Sequence, residues 1–153
     1  MNTELLSKAE KTINNSTMHT IGNILPGKTE WEADWVMSLI DDEGFPSASM
    51  ITASKADGFN WISFCTGINS NKANRVKRDS RACVYFFDVK SFTGISLTGH
   101  INIITDSEMK KQMWYDTLGD HFSGPDDENY CVLMFKPRKY NIFIDFQTLQ
   151  GAL

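Results

Sequence analysis

The segment FCTGINSNKANRVKRD, residues 64–79, gathers the residue types that can hold an anion. A strand pattern ends at Phe64 to Thr66, and a short helix is predicted from about Ser70 to Arg78. The first turn of a helix leaves backbone N–H groups without partners and carries the positive end of the helix dipole, which together suit a phosphate. Ser70 and Asn71 add neutral donors, and Lys72 adds a full positive charge at the mouth. From Ser70 to Arg78 the chain carries Lys72, Arg75, Lys77 and Arg78 and no acidic residue. In a chain of net charge -4 this is a local anion trap. A plainer role fits the same residues, with Ser70 capping a solvated helix and Lys77 and Arg78 favouring its C-terminal end. The glycine frame of a P-loop is missing, so spacing alone names no ligand.

Other chemistry-bearing residues give weaker signals. Cys65, Cys83 and Cys131 are far apart, odd in number and set in apolar runs, which argues against a disulfide framework or a CxxC site and for buried free thiols. Cys65 lies beside the proposed phosphate mouth, where a cation lowers a thiol pKa, but a small apolar strand residue is the favoured reading. His19, His100 and His121 show no metal-ligand spacing and read as surface or barrel-wall residues; no metal site is expected, and no residue is an evident general acid or base. Trp114 and Phe122 flank GDHFSGPDD, where a loop can cover a ligand face through aromatic contact, although helix packing suits Trp114 somewhat better. Asp126, Asp127 and Glu128 read as a solvated loop.

These residues need a scaffold, and the chain is patterned for a β one. Residues 3–14 place Leu5, Leu6, Ala9 and Ile13 on one helix side with Thr3 as N-cap. Residues 15–30, with Pro26 and Gly27, read as loop with a short strand near Ile21. From Trp35 the pattern turns to hairpins: WVMSLI, the turn DDEG, FPSASMITAS, the turn Asp57-Gly58, then NWISFCT. RACVYFFD is apolar on both faces, as a doubly covered strand is. ISLTGHINIIT alternates, with Ile95, Leu97, Ile101 and Ile103 on one face. YCVLMFK and KYNIFIDF follow as two strands joined at Pro137-Arg138. A second helix starts after Asp106 and spaces Met109, Met113, Trp114 and Leu118 for burial. Six or more strands without a βαβ rhythm predict a mostly β protein, an antiparallel barrel or sandwich with flanking helices.

A length of 153 residues suits one domain with one core. The composition, 41% hydrophobic and 22% charged, is ordinary for a globular chain. No apolar run approaches the ~20 residues of a membrane span, and the N-terminus lacks a signal-peptide core, so a cytoplasmic protein without a membrane partner is expected. The acidic balance gives no general attraction to nucleic acid.

FPSASMIT, WISFCTGINSNKANRVKRDSRACVYFFD, SLTGHINIITDSE and CVLMFKPRKYNIFI together resemble the pyridoxamine 5'-phosphate oxidase-like proteins, in particular their bacterial general stress protein branch. The likeness runs from about Trp35 to Phe146, and its most specific part is the strand-Thr-x3-Ser-x-Lys element. It implies a split antiparallel Greek-key β-barrel that binds flavin mononucleotide (FMN) at the interface of a homodimer. By position, Ser70, Asn71 and Lys72 would hold the flavin phosphate, Cys65 and Thr66 would line the ring, and Ser49, Met50 and Ile51 would offer it backbone groups.

Departures from the pattern bear on function. Ser49 stands where the oxidases carry a phosphate-gripping arginine, Gly94 where a glutamine reaches the flavin, and the C-terminal KPRKYNIFIDFQTLQGAL lacks their substrate-binding arginine motifs. Oxidation of vitamin B6 is therefore not expected. The expectation is an FMN-dependent oxidoreductase-like protein passing electrons to a small acceptor; the alternative is a non-enzymatic module holding flavin, haem or another planar ligand.

Overall fold

The structure, a computed structural model, describes residues 2–21 and 30–153. Its strands are β1 (Asp34–Ile40), β2 (Pro46–Asp57), β3 (Trp61–Gly67), β4 (Arg81–Asp88), β5 (Thr93–Ile104), β6 (Tyr130–Ile144) and β7 (Gln147–Ala152). All pair antiparallel in the order β3-β2-β1-β4-β5-β6-β7. A further ladder from Ile62↔Phe135 to Gly67↔Tyr130 joins β3 to β6, so six strands close into a barrel. The first half of β6 pairs with β3 and the second half with β7, which is the split.

Alternation at period two fills the interior. Trp35, Met37 and Leu39 of β1 point inward with Val84, Phe86, Ile95, Leu97 and Phe135. Each such side chain contributes roughly 1.5–3 kcal/mol by leaving water. Trp35 is fully buried between Phe64 and Phe86, and its Nε1 donates to the Ser16 carbonyl at 3.0 Å. That bond ties the end of α1 (Thr3–Asn15) to the barrel wall, while α1 itself buries Leu5, Ala9 and Ile13.

Several sequence expectations change in detail. Asn2, not Thr3, caps α1, its side chain accepting from the Leu5 amide. Ile21 ends a helical turn, α2 (Met18–Ile21), rather than a strand. The loop expected around Pro26 and Gly27 lies outside the described residues. One face of β4 is exposed, with Tyr85 and Phe87 outward, because no described element of the chain covers it. The two strands expected around Pro137 are one, β6; the proline sits at a register shift, where a missing N–H costs no ladder bond. Strand β7 had no hydrophobic signature: QTLQGA keeps only Leu149 and Gly151 half-buried and is held by backbone pairing to β6.

Two further helices lie over the barrel. α3 (Asn71–Arg78) buries Ala73 and Val76 against β1, β3 and β5. α4 (Ser107–Met113) is capped by Asp106 and stops at Met113, earlier than its apolar spacing suggested. Trp114 is its extended C-cap, and Leu118 sits in a 3-10 turn over Asp116–Asp120.

Candidate functional site

The end of β3 and the start of α3 form one hydrogen-bonded unit. Gly67 lends its carbonyl to the Ser70 amide at 3.0 Å, which closes the turn. The Ser70 hydroxyl accepts from the Ala73 amide and from the Thr66 hydroxyl, each at 3.1 Å. Having accepted twice, it keeps its own proton for a ligand. The Asn71 and Lys72 amides occupy the first helical positions, whose N–H groups have no intrahelical acceptor.

Lys72 is half-buried beside this turn and has no ion-pair partner among the described residues. Its pKa is lowered, first by burial and then by the neighbouring Arg75 guanidinium. A cation held this way, without a carboxylate, is what a bound anion would relieve. The wider basic cluster is thinner than it looked from sequence. Lys77 turns back and donates to the Ile68 carbonyl at 2.7 Å, and Arg78 is exposed at the far end of α3.

Cys65 and Thr66 border a cleft of about 500 Å³. Its opposite wall comes from Tyr115, Leu118, His121 and Phe122, and Thr52 of β2 completes it. Phe122 packs on Tyr130, with ring centroids 5.4 Å apart, and Trp114 meets the same ring edge-on at 5.3 Å. Phe122 thus faces the cleft, while Trp114 serves packing. His121, expected on the surface, is exposed yet borders the cleft; so do Thr52, Thr117 and Asp120, which carried no sequence signal. His100 instead bonds through Nδ1 to the Ser80 hydroxyl.

A redox role for Cys65 does not fit its surroundings. Burial pushes its thiol up to about 12, and its Sγ donates to the Met113 carbonyl near the Tyr130 hydroxyl. Cys131 is likewise buried and raised to about 11, whereas Cys83, expected buried, is only half-buried.

Ser49, Met50 and Ile51 do not line this cleft, but they flank it on an open edge. β2 pairs with β1 down to Pro46, whereas its ladder to β3 stops at the Ala53↔Phe64 pair. Continuing that antiparallel register sets Ile51 alongside Thr66, with no ladder bond between them. The backbone of residues 49–51 therefore has, among the described residues, no ladder partner on its β3 side. Gly94 has its missing side chain's space taken: a Cβ there would stand 2.7 Å from the Tyr85 hydroxyl.

The site offers an anion cradle at residues 70–72 and a strand edge at 49–51, neither of which lines the cleft itself; the cleft is bordered by their chain neighbours Gly67 and Thr52. The residues present fit a phosphorylated flavin in charge and donor type.

The profile of the pyridoxamine 5'-phosphate oxidase family matches residues 35–143. No curated protein matches the sequence. Among solved structures, a Clostridium acetobutylicum protein related to general stress protein 26, of the pyridoxinephosphate oxidase family, superposes with a TM-score of 0.78 at 20% identity, covering 100% of this chain and 97% of that one. A pyridoxamine 5'-phosphate oxidase-related, FMN-binding protein from Nostoc punctiforme gives 0.69 at 11% identity, covering 95% of each chain. A heme-binding protein from Mycobacterium smegmatis gives 0.70 at 14% identity, covering 96% of this chain and 57% of that one.

Proposed function

Because the chain belongs to the pyridoxamine 5'-phosphate oxidase family, we propose that its Ser70–Lys72 turn holds the phosphate of FMN and that the protein is an FMN-dependent oxidoreductase acting on a small acceptor. The observation that carries this reading is Lys72, an ammonium kept half-buried and, among the described residues, without an ion-pair partner, next to two amides and a hydroxyl proton that no described residue takes up. The Asn71 and Lys72 amides would bind the phosphate oxygens, and Lys72 would neutralise them. Thr66 and Phe122 would bound the ring, and the free edge at Ser49, Met50 and Ile51 would meet its polar side. FMN supplies the redox chemistry when bound, and the protein supplies position and exclusion of water.

A homodimer with FMN at the interface belongs to the same proposal. Met50, Val36 and Tyr85 form one row across three strands on the outer face, and Met50, Tyr85 and Phe87 are 56%, 40% and 39% exposed. A contiguous apolar row of this kind favours a second copy. Location in the cytoplasm is part of the reading too; among the described residues no helix is long and apolar enough to cross a membrane. Vitamin B6 oxidation stays outside it, since Ser49 replaces a cation and Tyr85 fills the space at Gly94.

The second reading, a module that holds a planar ligand without turnover, draws on the lack of a histidine–carboxylate hydrogen bond among the described residues of the cleft. Reconstitution separates the two. Purified protein mixed with FMN is expected to retain one flavin per chain through gel filtration, with the yellow colour bleached anaerobically by a reduced nicotinamide dinucleotide. Retention without bleaching by any reduced nicotinamide favours the module, and failure to retain FMN while haem is retained removes the flavin reading.

A further inference from the structure

On the outer face of the sheet, away from the Thr66 cleft, lies a second groove of about 590 Å³ to which six strands contribute. It follows the cross-strand row Ser38, Cys83, Thr98, Lys139 and Ala152. It lies toward the Ile40 end of β1, beyond the row of Val36 and Tyr85.

A bulge shapes it. Thr98 pairs with Lys139 while Gly99 pairs with Pro137, which leaves Arg138 as the extra residue of β6. The strands approach so closely there that a Cβ at Gly99 would run into the Lys136 carbonyl oxygen and stand 2.8 Å from Pro137 Cα. Only glycine admits that approach, and a bulge of this sort bends the strand and re-aims its side chains. Arg138 and Lys139 both border the groove as a result.

The charges are unbalanced. Arg81 is already engaged, its Nη2 lying 2.6 Å from Asp79 Oδ2 and its Nε donating to Oδ1 at 3.0 Å, and the Asp79 carboxyl is held down at about 2. His100 uses Nδ1 on Ser80, and its Nε2 has no partner among the described residues. Arg138 and Lys139 have no ion-pair partner among the described residues, and no acidic side chain lines the groove, which Leu153, the last residue of the sequence, also borders, its amide donating to the Arg138 carbonyl at 2.8 Å. Ile40, Pro46 and Ala82 give it an apolar side.

We propose that this groove is a second anion site, distinct from the Lys72 turn, that takes a phosphate monoester with a small apolar body. A guanidinium, an ammonium and the Thr98 hydroxyl offer more donors than one carboxylate can use, whereas a phosphate dianion accepts from all of them. The body of the ester rests on Ile40, Pro46 and Ala82.

The test is a titration of the full chain with phenyl phosphate, followed by the amide shifts of Ala82, Cys83 and Thr98. Saturable shifts are expected, with affinity weakened at least tenfold in Arg138→Ala/Lys139→Ala and unchanged in Lys72→Ala; circular dichroism checks that each variant is folded. Phenol, the neutral body alone, is expected to leave these amides in place. Equal affinity in the double variant, loss in Lys72→Ala instead, or no shift at millimolar phenyl phosphate would overturn the assignment. Should the double variant fail to fold, Arg138→Gln/Lys139→Gln is read by the same criteria.

Discussion

The Thr66 hydroxyl donates to the Ser70 hydroxyl at 3.1 Å, which locks the last residues of a barrel strand to the cap of the helix that follows. Strand end and cap therefore move as one body, and the anion cradle is positioned by the barrel rather than by a loose loop.

Ser70 has a capping role and a ligand role that substitution can separate. Aspartate caps a helix as well as serine does, whereas alanine costs about 1 kcal/mol. Ser70→Asp is expected to melt within a few degrees of the parent, yet to lose FMN more completely than Ser70→Ala, because a carboxylate would face the phosphate. Thermal melts and flavin titrations of both variants check this; tighter FMN binding by the aspartate variant would contradict it.

Lys72 is held at a cost to the empty protein. Its ammonium pKa is lowered, so the folded chain disfavours the charge at neutral pH, where the unfolded chain carries it freely. Lys72→Met keeps the stem and removes the charge. In the absence of FMN it is expected to unfold at a temperature equal to or above the parent's, a pattern of function retained against stability. A clear fall in melting temperature would mark Lys72 as a structural residue.

The thiols give a prediction with a definite sign in pH. Cys65 and Cys131 are raised to about 12 and about 11 from an ordinary 9.0. The unfolded chain ionises first as pH rises, so their contribution is complete below about 9 and fades as pH climbs toward those raised values. At pH 8 the native protein is expected to offer one thiol, Cys83, to a disulfide reagent, against three in denaturant. Fast modification of Cys65 in the native state would contradict its burial.

What the sequence disclosed follows from where side chains dominate. The period-two runs from Trp35 to Phe86 and the Ser70 cap were readable because inward apolar residues and a cap residue leave direct marks. Strand β7 was not, since Leu149 is the one apolar side chain of QTLQGA packed on the core and backbone pairing holds the rest. The continuity of β6 was masked by Pro137, which a bulge accommodates. In the site, Ser70, Asn71 and Lys72 were legible as neighbours in the chain. Thr52, Tyr115 and His121 reach the cleft only through tertiary packing, for which no local pattern exists. Lys77 looked like part of the anion trap because a charge count carries no direction; its bond to the Ile68 carbonyl removes it.

The most direct measurement compares FMN with riboflavin, which share the ring and differ in the phosphate, on the parent and on Lys72→Ala. A charge-assisted contact of roughly 1.5–3 kcal/mol predicts that the variant loses FMN affinity by about ten- to a hundredfold while riboflavin affinity barely moves. Equal loss of both ligands, or no loss of FMN, would contradict the placement of the phosphate at Lys72.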